Sequence, residues 1–267
     1  MRLLRPPRIE VDALDDGAVV RLMRGHRLSD AVRLGPNEVH FSIVHPDGDY
    51  EDLGVSYNLL TTVGRDLLAA GLGNPTGKDG VFTASSSTSG TPAGGGMTAD
   101  QYKGWRVFAD ATSTTTAPVY GNIGTNSTTV LTVDGWWVGT SDTMTGTTPG
   151  ATFGYHIQPS CQARFMGVTA DTGAASAGST TLTAEITTNG LNRTKATYAH
   201  TPAAATYTLS VSYSVSGGPQ TVHRGGLFTA ANTTAGGVLV FETVANADAI
   251  VTTSDTLNAT WTVTLSG

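Results

Sequence analysis

Two stretches of this chain alternate with a strict period of two. Tyr207, Leu209, Val211, Tyr213 and Val215 are separated by Thr208, Ser210, Ser212 and Ser214. Leu257, Ala259, Trp261, Val263 and Leu265 are separated by Asn258, Thr260, Thr262 and Thr264. Successive side chains of a strand point to opposite faces, so each run predicts a strand with one apolar and one hydroxyl-bearing face. A helix does not produce this pattern, because its faces recur every ~3.6 residues. Shorter apolar runs at 165–168, 182–186, 195–200, 222–228 and 238–243 predict further strands. Turn signals such as Gly217-Gly218-Pro219 and Gly236-Gly237 separate some of them. No helical crossover interrupts the set, which argues against a parallel sheet. The fold class expected is mainly β, with an antiparallel β-sandwich or jelly-roll over 161–267.

The rest of the chain divides by composition. Residues 1–73 read as an N-terminal docking segment with a strand at 39–44 and one short helix at 58–70. Leu60, Val63, Leu67 and Leu68 line one face of that helix, Ser56 or Asn58 caps its start, and Gly71 or Gly73 ends it before Pro75. Residues 74–101, crowded with Gly, Ser and Thr, read as a long loop. Residues 102–160 read as a small inserted β domain, with strands at 105–108, 129–133, 136–138 and 153–157 and a turn at Asp134-Gly135.

Charge narrows the function classes. The 267 residues carry a net charge of −6 and only 13% are charged, so general nucleic-acid binding is not expected. The arginines crowd the start: Arg2, Arg5, Arg8, Arg21, Arg24, Arg27 and Arg33. That bias reads either as an arm that docks on an acidic neighbour or as an ordinary solvated segment. The single cysteine, Cys161, allows no intrachain disulfide, which suits a cytosolically assembled protein. No leader-like apolar stretch is visible, and no apolar run approaches the ~20 residues of a membrane span.

Chemistry is hard to find. Gly73–Asp79 partly matches a phosphate loop, but its glycine spacing is one residue short, Asp79 replaces the hydroxyl that holds magnesium, and it follows a helix. His156 and Cys161 lack a third orienting group. His40 and His45 are an odd number of residues apart, so one strand would point them to opposite sides. Asp47, Asp49, Glu51 and Asp52 lack full calcium-loop spacing and read as a solvated turn. The pair Trp136-Trp137 predicts one ring in the core and one outward, where it would meet a sugar or a neighbouring subunit. No catalytic residue, metal or cofactor is expected. The candidate contact residues are Trp136, Trp137, Arg2, Arg5 and Arg8.

Two stretches resemble structural proteins of tailed bacteriophages. Asn58-Leu-Leu-Thr-Thr-Val-Gly-Arg-Asp66 is similar to a short N-x-x-T-x-x-G-R-D helix near the start of many such proteins. The second stretch begins at Val168-Thr-Ala-Asp171 and runs through Gly178-Ser-Thr-Thr-Leu-Thr-Ala-Glu-Ile186, Gly190-Leu-Asn-Arg193 and Gly226-Leu-Phe-Thr-Ala-Ala231. It continues through Val240-Phe-Glu-Thr243 and Asp255-Thr-Leu257 to Trp261-Thr-Val-Thr264. The resemblance covers about half the chain and leaves 74–160 as an insertion. It implies a virion role in capsid decoration, collar, tail or fibre. The expected partners are other virion proteins and copies of the same chain, met through exposed strand edges, with no membrane and no specific nucleic acid. A receptor- or carbohydrate-binding tail module is the alternative, with a glycan as ligand, and a polysaccharide-degrading spike comes after it.

Overall fold

The apolar and hydroxyl faces of the two alternating runs meet face for face. Leu209 lies opposite Trp261, Val211 opposite Ala259 and Tyr213 opposite Leu257, while Thr208, Ser210 and Ser212 lie opposite Thr262, Thr260 and Asn258. A one-residue slip would turn every apolar side chain outward, so burial fixes this register. The computed structural model describes residues 9–14, 17–22, 31–34, 38–73, 77–109, 118–138, 143–145, 148–150, 152–160, 162–231 and 236–266.

From the N-terminus, β1 (Ile9–Leu14), β2 (Gly17–Leu22) and β3 (Ala31–Leu34) form an antiparallel meander. Next come β4 (Glu38–Val44), β5 (Tyr50–Leu60) and helix α1 (Thr62–Gly73). A second unit holds β6 (Lys78–Ser86), β7 (Ser89–Pro92), β8 (Arg106–Ala109) and β9 (Val119–Asn126). It continues with β10 (Leu131–Val133), β11 (Trp136–Val138), β12 (Thr143–Thr145) and β13 (Gly154–Gln158). The chain then returns through β14 (Phe165–Thr169), β15 (Thr194–Lys195), β16 (Thr197–His200) and β17 (Thr206–Ser214). It ends in β18 (Gln220–Phe228), β19 (Leu239–Val251) and β20 (Thr256–Ser266).

The first and last groups close into one antiparallel barrel. Going round, β4 pairs with β5, β5 with β19, β19 with β18, β18 with β14 and β14 with β15. The strand changes partner at Ala196 and continues as β16 against β17, which pairs through β20 back to β4. Two corner strands make the closure, as expected where a strand switches sheets. One is β15–β16. The other is β5, whose residues 50–57 pair with β4 and 58–60 with β19. The docking segment expected over 1–73 therefore supplies two walls of the same barrel as 161–267. β3 joins the end of β20 and attaches the N-terminal meander.

Inside the large barrel lie Phe41, Ile43, Met166, Tyr213, Leu227 and Trp261, all fully buried or nearly so. Each such side chain stabilises the fold by roughly 1.5–3 kcal/mol. Tyr213 satisfies its hydroxyl by donating to Met166 O at 2.7 Å, and burial pushes its phenol far above the ordinary range.

The second barrel is closed by β6, β7, β10, β9, β8 and β13, each paired to the next and β13 back to β6. The segment 74–101 is thus no simple loop, since β6 and β7 lie within it. Of the β6 side chains only Phe82 is buried, so no apolar alternation marks the strand. Its backbone bonds to β13 and β7 make it one. The run 182–186, expected as a strand, is irregular: Ala184 has φ +50° and only a lone bridge joins Glu185 to Thr169.

The helix starts later than its periodicity suggests, at Thr62, because residues 58–60 stay paired to β19. Thr61 is the cap: its hydroxyl accepts Gly64 N–H at 3.0 Å. A Cβ at Gly64 would lie 2.4 Å from Val240 O, so the first turn sits on the β19 backbone as only glycine allows. The Thr and Gly of the N-x-x-T-x-x-G-R-D motif thus have structural work in fixing this joint. Among the described residues, no helix is long and apolar enough to cross a membrane.

Candidate interaction surface

Neither Trp136 nor Trp137 faces solvent. Trp136 is 1% exposed and fills the small barrel, edge-on to Phe82 with ring centroids 6.0 Å apart, its indole donating to Ser86 O at 2.8 Å. Trp137 points out of that barrel, as the alternation requires, but is only 6% exposed because the large barrel covers it. Its ring stands 5.6 Å from Phe165, and with Tyr120, Leu182, Phe228 and Leu239 it forms the apolar junction of the two barrels. The expected outward-facing ring is therefore a contact within the chain. Arg2, Arg5 and Arg8, like Cys161, lie outside the described residues.

Asp134 organises this junction. Its carboxylate accepts Asn122 Nδ2–H at 2.9 Å, Trp137 Nε1–H at 3.1 Å and Ala231 N–H at 2.9 Å. The last bond ties the small barrel to the large one. Burial raises the carboxyl pKa, and the donated hydrogen bonds hold it down. Gly135, at φ +143°, lets the strand turn between β10 and β11.

The buried charges outside this junction hold the long excursion between β14 and β15. Arg193 forms a two-pronged pair with Glu185, at 2.9 and 2.6 Å, and its guanidinium lies 3.5 Å from the centre of the Phe228 ring. Arg224 bonds Glu242 at 2.5 Å and also pairs with Asp171. It donates further to the carbonyls of Asp171 and Ala174. Asp171, Glu185, Arg193 and Glu242 fall within the stretches 168–171, 178–186, 190–193 and 240–243. No sequence period links them, so only the folded excursion brings them together.

Four of the described histidines meet aspartates on neighbouring strands or turns. His40 bonds Asp52 at 2.7 Å and His45 bonds Asp255 at 2.9 Å, while His156 pairs with Asp79 and His223 with Asp248. Asp47 accepts Asp49 N–H at 3.1 Å and Asp52 accepts Gly54 N–H at 2.8 Å, so these acids cap their own turns. Among the described residues no group of three or more His, Cys, Asp or Glu converges as a metal set. The hydrogen bond that His45 donates to Asp255 raises the His45 pKa against the opposing effect of desolvation, with smaller help from the charges of Asp255, Asp47 and Glu51. The Asp255 pKa is lowered, first by the Thr252 N–H and then by His45.

A raised histidine contributes stability below its unfolded pKa, about 6.5, and loses it as pH rises through the folded value. A lowered aspartate contributes above about 3.8 and loses its contribution as pH falls through the folded value. The His45–Asp255 pair is therefore at full strength between about pH 4 and 6.5. The melting-temperature advantage of the wild type over His45→Gln is expected to be largest in that window and to shrink above about pH 8. An advantage independent of pH would refute this assignment.

One outer wall of the large barrel differs from the rest. Val55, Tyr57 and Leu59 alternate along β5 and all project outward, with Tyr57 65% exposed. Val244, also exposed, follows the paired stretch of β19 that ends with Thr243 opposite Asn58. On the other side Val55 lies opposite His40 and Tyr57 opposite Glu38. The result is an apolar strip with a polar rim of Glu38, His40 and Asp52, the layout of a protein contact. Sequence reasoning missed it, although the alternation of 55, 57 and 59 is visible, because nothing in the sequence says which face of β5 is outside. Comparison of the chain with protein-family models, with curated proteins and with solved structures gives no match.

Proposed function

We propose that the chain is a non-catalytic structural subunit of a tailed-bacteriophage particle, which holds neighbouring virion proteins through the outer wall of its large barrel. The observation that carries this reading is the strip Val55–Tyr57–Leu59–Val244, solvent-facing where most other large apolar side chains of the described residues are buried. An exposed apolar strip of this kind marks a protein contact. The resemblance to phage structural proteins gives the partner class. Its motif residues build the helix joint and the buried ion pairs, which are devices for rigidity.

The test is binding of the purified chain to itself and to capsid and tail proteins of tailed phages, by light scattering and co-sedimentation. Tyr57→Asp puts a charge at the centre of the strip and is expected to weaken assembly by at least about 30-fold, the scale of a tyrosine hot spot. Its melting temperature is expected to stay within a few degrees of wild type, because the side chain is exposed. A chain that stays monomeric and binds none of these proteins would overturn the proposal.

A further inference from the structure

Away from that strip, β16, β17 and β20 form a wall without a single Asp, Glu, Lys or Arg over residues 196–218 and 256–267. At its margin three rings touch. Tyr198 stands 5.5 Å from Tyr207 and 6.3 Å from His200, with the Tyr198 and His200 planes 30° apart. Tyr198 lies opposite Leu209 and His200 opposite Tyr207, so all three rings share one face of the wall, beyond the core. Tyr198 is 60% exposed, and every side chain of β16 is exposed. His200 donates from Nε2 to Ala204 O at 3.2 Å, which leaves Nδ1 as the acceptor of the neutral ring. Lys195, the nearest cation in sequence, is placed over the Trp137 ring at 5.3 Å.

We infer that this ledge binds a neutral sugar residue of an oligosaccharide. A pyranose presents an apolar C–H face edged by hydroxyls. The flat, half-wet Tyr198 ring suits the C–H face, since tyrosine gives a large apolar surface at small cost in side-chain freedom. The Tyr198 hydroxyl and His200 Nδ1 suit the rim of hydroxyls, and few but fixed polar groups around an aromatic floor are the usual makeup of a small-molecule site. Charge selects the ligand class. An acidic sugar finds no cation on this wall, and an amino sugar with a free ammonium finds no carboxylate. A strand from a second copy would instead use the open side of β16, but four residues give a short ladder and the rings would not be needed. The inference does not depend on the assembly reading, whose strip lies on β5 and β19.

Saturation-transfer NMR and calorimetric titration with maltotetraose, cellotetraose and chitotetraose test it on the full chain. At least one of these is expected to bind with a Kd of about 1 mM or tighter. Tyr198→Ala is expected to weaken that binding at least 10-fold, Tyr198→Phe less than threefold, and Tyr57→Ala not at all. Far-ultraviolet circular dichroism checks that each variant is folded. Three results would each overturn the inference: no binding of any of the three sugars, equal binding by Tyr198→Ala, or a fall in oligomeric mass in Tyr198→Ala. The last would make the ledge a protein contact. Failure here with an intact Tyr57 effect on assembly leaves the proposed function standing.

Discussion

Arg224→Ala is expected to lower the unfolding free energy by about 3–5 kcal/mol, the cost of stranding a buried charge. The side chain of Glu242 is 1% exposed, and Arg224 is its charged partner at 2.5 Å. Without the guanidinium, Glu242 keeps one N–H bond, from Ser176 at 3.2 Å, and must otherwise hold its charge in an apolar setting or take up a proton. Asp171 suffers less, since its side chain is 31% exposed and water can reach it. The backbone of the excursion also loses its anchor, because Arg224 bonds the carbonyls of Asp171 and Ala174. Urea unfolding followed by tryptophan fluorescence measures the change. Arg224→Met combined with Glu242→Leu is expected to recover much of the loss, because burying two matched apolar side chains avoids the desolvation of two charges. A single variant as stable as the wild type would show that water reaches Glu242.

Trp136→Ala is expected to cost about 3–5 kcal/mol through the cavity it opens in the small barrel. The ring fills an interior also lined by Phe82, Tyr155, Ile123 and Leu131, and its N–H satisfies Ser86 O. Both the packing and that bond are lost together. Calorimetry is the informative measurement, because the two barrels share the junction around Trp137 and Asp134. If the junction couples them, the whole transition moves to lower temperature. If it does not, an early transition for residues 78–158 separates from an unchanged main one. A wild-type melting curve would contradict the placement of Trp136 in the core.

The strands of the large barrel were legible where one face is buried and the other wet. The alternation is in plain view over 207–214 and 257–264, and both stretches hold as strands with the expected faces. The Trp136-Trp137 pair was legible in the same way, and its two rings do go to opposite sides. β6 was not legible, because its place in the sheet depends on backbone hydrogen bonds, which every residue type can make, and its side chains stay outside apart from Phe82. The start of α1 was not legible, because helix periodicity reaches back to Leu60 whereas pairing with β19 holds that residue in a strand.

The sequence by itself determined a mainly antiparallel β protein with one short helix. Period-two burial and turn chemistry are local properties that act through neighbours along the chain. Only the tertiary structure decided that the sheets close into barrels, with strands from residues 38–60 completing a wall that the C-terminal residues begin. Closure depends on which distant strand offers free N–H and C=O groups, and that is a matter of place. The same reason governs the surface. Trp137 and Tyr57 are both large rings on outward faces of strands, but the large barrel covers the first and nothing within the described residues covers the second.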